Sequence, residues 1–328
     1  MKTRKIILLV CILLLPLSVA FCYRTGKSES CAARERVTVL CVGLDEAAEN
    51  TDVLMLITVD PEKREITVLQ IPRDTYFSAD TIQSKINQLY PAYRLAGRES
   101  GSAMVQLTSV LSGALGSPID YYVALDFSSI AYFVDRLGGL CVNVPSDALY
   151  GEGSGSNAEV RTLNGEEALA FVRYRAGYAE GDLARVDAQK LLLISAYKKL
   201  KNELSLGDLL SLIPDLYKRI VTNMTLSSQL SLAYTFVRDR TEYTVRLVTL
   251  PGEATRADET LGTWYYIPNK KAATEVLSRY FGTSGFDPYG RMTDNGRAHF
   301  VSIYERNDFS YRIYSEETID ELKIKSND

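Results

Sequence analysis

Residues 37–42 read VTVLCV, an almost continuously apolar run, and residues 53–59 repeat the pattern as VLMLITV. The turn Asp60-Pro61 separates the second run from a third, EITVLQI, at residues 65–71. Short apolar runs bounded by turn residues are typical of strands buried inside a sheet. We therefore predict three core strands near the start of the folded part of the chain.

Helical and extended patterns alternate after these strands. Residues 102–115 place apolar side chains at helical spacing and end before Gly116, which is typical of an amphipathic helix. A strand is predicted at residues 121–125, a helix at residues 127–137 and a further strand at residues 140–144. Strands that alternate with helices predict an α/β layered domain.

The first 23 residues predict a membrane-spanning segment. Residues 1–5 (MKTRK) are basic and residues 6–23 carry no charge, which is close to the length that a helix needs to cross a bilayer. The basic end should stay in the cytoplasm. A cleavable signal peptide is the alternative, because Ser18-Val19-Ala20 offers small residues at a cleavage position. In both interpretations the rest of the chain is exported, with residues 24–36 as a linker.

Composition excludes several classes of function. The net charge is −4, so there is no excess of basic residues to bind a nucleic acid. The one histidine, His299, nearly excludes a Ser-His-Asp triad or a histidine-based metal site. Cys41 and Cys141 lie in apolar runs, where we expect them to be buried. Together with Cys31 they are too few for a disulfide framework.

Charged residues follow the third predicted strand and return later in the chain. Ile71-Pro72-Arg73-Asp74 leaves that strand directly. Asn164 is placed to cap a helix that starts at Gly165, and this helix leads to Arg173 and Arg175. If the chain is extended there, the two arginines point to the same side, because side chains alternate along a strand.

Asp182, Arg185 and Gln189 stand at i, i+3 and i+7, on one face of a predicted helix. Asp182 is a natural N-cap, which places Arg185 in the first turn, where free N–H groups and the helix dipole favour an anion. The guanidinium fork of arginine pairs with two phosphate oxygens at once and keeps its charge. These arginines therefore predict a site that binds phosphate.

Each of these residues also has a purely structural interpretation. Arg73 and Asp74 could form only a surface ion pair at a strand end. Arg185 could stand on a solvated helix start, and Asp45 and Asp52 could be ordinary loop and turn residues. The position of each residue in the fold decides between the two interpretations.

In their order along the chain, these motifs resemble the LytR-CpsA-Psr family of cell-wall glycopolymer ligases. The matching positions are residues 39–45, Thr51-Asp52, Ile71-Pro72-Arg73-Asp74, Lys85-Ile86-Asn87, Gly138-Gly139, Arg173-Tyr174-Arg175, Gly181-Asp182, Arg185 and Gln189. The resemblance implies a three-layer α/β/α domain with a central mixed sheet at residues 37–282. That domain would face outward from a bacterial cell membrane, preceded by one transmembrane helix, with residues 283–328 as a polar C-terminal extension.

Members of this family transfer a phosphate-linked glycopolymer, such as teichoic acid or capsular polysaccharide, from a polyprenyl-pyrophosphate carrier to a sugar hydroxyl of peptidoglycan. By position, the resemblance implies that the pyrophosphate is bound by Arg73, Arg173, Arg175 and Arg185, with Gln189 beside it. It implies that Asp45 and Asp52 hold Mg²⁺. Asp74 and Asp182 would orient the arginines or accept the proton of the incoming hydroxyl. The polyprenyl chain would lie in an apolar pocket, to which the helix at residues 102–115 could contribute a wall.

The chain departs from the family pattern at two positions. Asn50 stands where the family usually has an arginine, two residues before Asp52, and Ala188 stands where it often has one, directly before Gln189. These departures keep two alternatives open. One is a hydrolase that acts on the same lipid pyrophosphate, and the other is a non-catalytic protein that binds the carrier lipid.

Overall fold

The computed structural model describes residues 36–45, 51–79, 82–145, 158–174, 182–227, 229–230, 234, 242–256, 263–283, 285–287, 298–319 and 322. The strands in these ranges are β1 (Val37–Leu44), β2 (Thr51–Asp60), β3 (Glu65–Ile71), β4 (Tyr76–Ala79), β5 (Ile82–Lys85), β6 (Tyr121–Leu125), β7 (Leu140–Pro145), β8 (Ala158–Leu163), β9 (Ile220–Thr222), β10 (Thr244–Thr249), β11 (Gly252–Arg256), β12 (Trp264–Pro268) and β13 (Ile313–Ser315). The helices are α1 (Leu89–Leu95), α2 (Ser100–Leu115), α3 (Phe127–Arg136), α4 (Gly165–Arg173), α5 (Asp182–Asn202), α6 (Leu206–Tyr217), α7 (Lys270–Phe281) and α8 (Ala298–Tyr304).

The central sheet has the strand order β13-β10-β3-β2-β1-β6-β9. The three predicted core strands lie together in it, with β2 antiparallel to both β1 and β3. Parallel pairs join β1 to β6 and β3 to β10. The sheet is therefore mixed, and the prediction of an α/β domain with a central mixed sheet is confirmed.

Helices cover both faces of this sheet. Successive side chains of β1 point to opposite faces, so Val39 and Cys41 enter one apolar core while Leu40 and Val42 enter the other. The first core is completed by α3, α4, α5 and α6. The second is completed by α1, α2, α7 and α8. Burial on both faces explains why these strands are almost continuously apolar.

Several predicted elements keep their bounds, and one side-chain prediction is wrong. β3 and β6 span the predicted residues, and α2 starts two residues before the predicted position. Leu107 and Leu111 of α2 are fully buried, so they belong to the core. Cys41 is buried, but Cys141 is exposed. Cys141 lies on β7, which pairs only with β8 outside the central sheet and buries every second side chain.

Residues beyond 282 contribute to the same sheet and core. β13 pairs with β10 at one edge of the central sheet, and Phe300 of α8 is fully buried. Among the helices within the described ranges, none is both long and apolar enough to span a bilayer. The predicted anchor, residues 1–23, lies outside the described residues.

Gly165 tests the packing of α4 against α3. A Cβ atom added at Gly165 would lie 2.3 Å from the carbonyl oxygen of Ala131, so we expect Gly165→Ala to lower the free energy of unfolding by about 1–3 kcal/mol. Gly113, inside α2, has nothing within 4 Å of the added atom. Gly113→Ala should instead raise the free energy of unfolding by about 0.5–1 kcal/mol. Urea unfolding of both variants measures the difference. Equal free energies of unfolding would contradict the close packing of α4 against α3 at Gly165.

Candidate functional site

Three of the candidate residues, Asp45, Asp52 and Arg73, lie at one edge of the central sheet. Because β1, β3, β6 and β10 run in the same direction and β2 runs against them, four strands end at the edge where β2 begins. Asp45 directly follows β1, Asp52 is the second residue of β2, and Arg73 follows β3. The carboxyl ends of strands in open α/β sheets are a common place for ligands.

A β-bulge sets the position of Asp52. Gly43 pairs with Val53 and Leu44 pairs with Thr51, which leaves Asp52 as an extra residue on β2. Bulges redirect a side chain out of the regular alternation. Here Asp52 Oδ1 accepts a hydrogen bond of 2.8 Å from Arg73 Nη1. The two side chains are only 1% and 9% exposed, respectively, so a buried carboxylate fixes the guanidinium.

Asp74 contacts Lys85 more closely than it contacts Arg73. Lys85 Nζ donates to Asp74 Oδ1 at 2.9 Å, whereas Asp74 Oδ2 lies 3.9 Å from Arg73 Nε. The β4–β5 hairpin brings Lys85 opposite Tyr76, and Lys85 Nζ lies 5.6 Å from the centre of the Tyr265 ring. Asp74 therefore lies between two cations, and its contact with Arg73 is longer than the contact that Asp52 makes with Arg73.

Backbone hydrogen bonds fix the turn that carries Arg73. The Asn87 N–H donates to the Arg73 carbonyl at 3.3 Å, and the Thr51 hydroxyl donates to the Asn87 carbonyl at 3.1 Å. On the other side, the Tyr266 N–H donates to the Asp74 carbonyl at 2.8 Å. Burial raises the pKa of Tyr266, with Glu253 and Asp187 adding to the shift. The phenol thus stays protonated and donates to the Leu250 carbonyl at 2.6 Å.

The first turns of α5 lie over the end of β3. Gln70 Nε2 donates to the Val186 carbonyl at 3.2 Å, in a buried position. Arg185 and Gln189 are 1% and 3% exposed. A buried guanidinium needs compensating charge or hydrogen bonds, so the interpretation of Arg185 as a solvated helix start is wrong. The surface-pair interpretation of Arg73 fails for the same reason.

Arg173 is the last residue of α4, so the condition of an extended chain is not met at Arg173. Asn164 and Glu167 form a capping box at the start of this helix, which continues through Arg173. The guanidinium carbon of Arg173 lies 5.8 Å from the centre of the Phe127 ring. Phe127 begins α3 just beyond the end of β6, which places Arg173 near the same edge of the sheet.

Three predicted site features fall wholly or partly outside the described residues. Arg175 and Asn50 lie outside them altogether. Asp182 is the first residue of α5, but its side chain is not described. Ala188 is fully buried in the core that contains α5.

The donor atoms at this edge fit the implied Mg²⁺. Asp45 and Asp52 are 7% and 2% exposed and offer carboxylate oxygens, which Mg²⁺ prefers. Within the described ranges, no group of three or more His, Cys, Asp or Glu residues could hold a metal ion. Two carboxylates are sufficient where phosphate oxygens and waters complete the shell. The pair therefore suits a Mg²⁺ ion that binds together with a phosphate group.

Sequence reasoning assigned no role to Gln70 or Lys85. Lys85 belongs to the motif Lys85-Ile86-Asn87, one of those on which the family resemblance rests. Its pairing with Asp74 depends on the register of the β4–β5 hairpin, which the periodicity of the sequence does not reveal. Gln70 is the one amide in the apolar run EITVLQI. A polar residue in a strand that is otherwise apolar indicates a position with a specific role, and this pattern could have identified Gln70.

The fold and the site define an α/β protein in which Arg73, Asp45 and Asp52 lie at one sheet edge, an arrangement suited to a phosphate group. A profile of the LytR_cpsA_psr family matches residues 22–281. The chain belongs to this family.

Curated relatives and solved structures are also similar to this chain. The polyisoprenyl-teichoic acid–peptidoglycan teichoic acid transferase TagU of Bacillus anthracis is 29% identical over 258 residues, which cover 76% of this chain and 80% of the relative. TagU of Bacillus subtilis is 28% identical over 261 residues, covering 77% and 79%. The crystal structure of B. subtilis TagV matches with a TM-score of 0.62 at 24% identity, over 76% of this chain and 98% of TagV. The Streptococcus agalactiae protein gbs0355 matches with a TM-score of 0.63 at 19% identity, over 85% and 100%. At these identities the two structures support the fold.

The Arg73–Asp52 pair can be tested by its effect on stability. We expect Asp52→Ala to lower the free energy of unfolding by about 3–5 kcal/mol, because it leaves a buried guanidinium without this carboxylate. The exposed pair between Arg64 and Glu242 is the matched control, and Glu242→Ala should change the value by less than about 1 kcal/mol. Chemical denaturation of both variants makes the comparison. A small effect for Asp52→Ala would show that the pair is solvated.

Proposed function

We propose that this protein transfers a phosphate-linked glycopolymer of the teichoic acid type from a polyprenyl-pyrophosphate carrier to peptidoglycan. The observation that carries the proposal is the buried contact between Arg73 and Asp52 at the edge where four strands end. Family membership supports it, as do the relatives named as transferases of teichoic acid to peptidoglycan.

The arginines would bind the pyrophosphate and stabilise its departure. Arg73 is held in place before substrate arrives, because its side chain is buried and bonded to Asp52. Arg173, Arg175 and Arg185 would supply further positive charge, and Gln189 a hydrogen bond. Negative charge grows on the leaving oxygens as the bond breaks, so cations that are already positioned favour the transition state over the ground state.

The reaction exchanges one phosphorus–oxygen bond for another. A sugar hydroxyl of peptidoglycan attacks the phosphorus that bears the glycopolymer, and the bond from that phosphorus to the carrier phosphate breaks. The carrier leaves as polyprenyl phosphate, and the hydroxyl proton passes to a carboxylate. Asp74 would be that carboxylate or would orient Arg73, with Lys85 holding one of its oxygens. Asp182 is the other candidate for both roles.

Asp45 and Asp52 would hold a Mg²⁺ ion. Such an ion would neutralise charge on the pyrophosphate oxygens. The two aspartates would fix that ion at the sheet edge, on the same side as Arg73. The bond from Asp52 to Arg73 would then keep the metal ligand and the anion-binding arginine in one rigid unit.

The carrier lipid also suggests where the protein acts. Residues 1–23 would anchor the chain in the bacterial cell membrane, and residues 24–36 would link the anchor to an extracytoplasmic catalytic domain that begins at residue 37 and includes β13 and α8. A polyprenyl pyrophosphate has its head group at the membrane surface. An anchored domain would therefore meet its donor there.

The role of Arg73 can be tested by keeping its charge and removing its planar fork. We expect Arg73→Lys to lower transfer from a labelled polyprenyl-pyrophosphate oligosaccharide to peptidoglycan fragments by roughly 10²-fold. Arg98 is exposed, and Arg98→Lys is the matched control, with transfer within about twofold of the unchanged protein. Activity of Arg73→Lys equal to that of the control would show that residues other than Arg73 bind the pyrophosphate.

The metal assignment has its own test with the full-length protein in detergent. Transfer should require Mg²⁺, stop with a chelator and return when Mg²⁺ is restored, and Asp45→Asn should raise the Mg²⁺ concentration needed for half-maximal transfer. Transfer that continues in chelator would refute the metal assignment. Released oligosaccharide without attachment to peptidoglycan would instead support the hydrolase, and tight lipid binding with neither product would support the non-catalytic alternative.

A further inference from the structure

Gln70 connects β3, which leads to Arg73, with α5, which carries Arg185. It stands three residues before Arg73, near the end of β3, and its amide N–H donates to the carbonyl of Val186. Val186 directly follows Arg185 in the first turns of α5. One side chain thus ties the turn bearing Arg185 to the strand that leads into Arg73. The orientation of the amide follows from this bond, since only its nitrogen can donate to a carbonyl.

The fold itself gains little from an amide at this position. Gln70 is 2% exposed, and its Oε1 atom accepts no hydrogen bond from any residue that the structure describes. A buried acceptor in that condition destabilises the folded state. The Val186 carbonyl lies inside α5, where the helix itself supplies a donor. An apolar side chain of the same length would therefore serve stability at least as well.

We infer that Gln70 is a positioning residue that sets the placement of Arg185 relative to Arg73 for the transfer reaction. The inference rests on the proposed function. Without the amide, α5 can still pack on the sheet through its apolar side chains, such as Leu192 and Leu193, which are fully buried. The exact placement of its first turn would no longer be fixed to β3. Displacement of a reacting or binding group by about 1 Å can lower a rate on the order of 10²-fold.

The test is Gln70→Met, which keeps the length of the side chain and removes both amide atoms. We expect the urea midpoint to stay the same or rise, while kcat for transfer falls by about 10- to 100-fold. The KM for the peptidoglycan acceptor should stay unchanged, because the Gln70 side chain is buried away from solvent. The assay uses the full-length protein in detergent, with a polyprenyl-pyrophosphate oligosaccharide and peptidoglycan fragments.

Thr58→Val is the matched control. Thr58 is 1% exposed, and its hydroxyl likewise has no hydrogen-bond partner in the part of the chain that the structure describes. It lies on β2 six residues from Asp52, which is about 20 Å along a strand. This substitution also removes a buried polar atom and should leave the urea midpoint the same or higher, but transfer should stay within about twofold of the unchanged protein.

The outcomes separate the positioning role from the function itself. Full transfer by Gln70→Met would overturn the inference while leaving the proposed function intact. A lower urea midpoint for Gln70→Met, with transfer lost only in proportion to unfolded protein, would also overturn it, since the glutamine would then be structural. Absence of transfer by the unchanged protein would contradict the proposed function instead. Binding of inorganic pyrophosphate, measured in parallel, should weaken in Gln70→Met and not in Thr58→Val.

Discussion

The buried hydrogen bond between Arg73 and Asp52 is the constraint on which the rest of the site depends. Two opposite charges removed from water stabilise a fold only when their geometry is close to ideal, and losing one partner destabilises it strongly. The position of the pair is set by a β-bulge at Asp52 and by a turn at Arg73 that is hydrogen-bonded to Asn87. The site therefore exists only where β1, β2 and β3 keep their register.

The mixed order of the sheet explains why residues so distant in sequence meet. Asp45 follows β1 and Arg73 follows β3, and both strands end at the same edge because β2 between them runs in the opposite direction. Arg185 arrives on a helix that packs on one face of the sheet, and Gln70 joins that helix to β3. Charges from separate strands and from a helix are thus held on rigid elements, which limits their movement and keeps them positioned for an anion.

The sequence predicts the parts of this arrangement that depend on local pattern. The apolar runs of β1 to β3 require burial on both faces, and their positions follow from hydropathy alone. The bulge at Asp52 and the contact between Lys85 and Asp74 do not follow from it, because both depend on pairing between strands rather than on composition. The exposure of Cys141 likewise depends on strand pairing and could not be predicted from hydropathy. Its apolar neighbours suggested a core strand, whereas β7 forms a separate two-stranded ribbon in which alternate side chains are exposed.

The last part of the chain supports the site although it contributes no catalytic candidate. Phe300 of α8 is fully buried, and its ring lies 5.5 Å from the Tyr76 ring and 5.8 Å from the Tyr265 ring, both in edge-to-face geometry. Such contacts fix the orientation of aromatic rings. Tyr265 in turn lies beneath Lys85, which holds Asp74. A chain that ended before α8 would retain the charged residues of the site but lose the packing that orients Lys85 toward Asp74, so the segment after Gly282 is a structural part of the proposed catalytic unit.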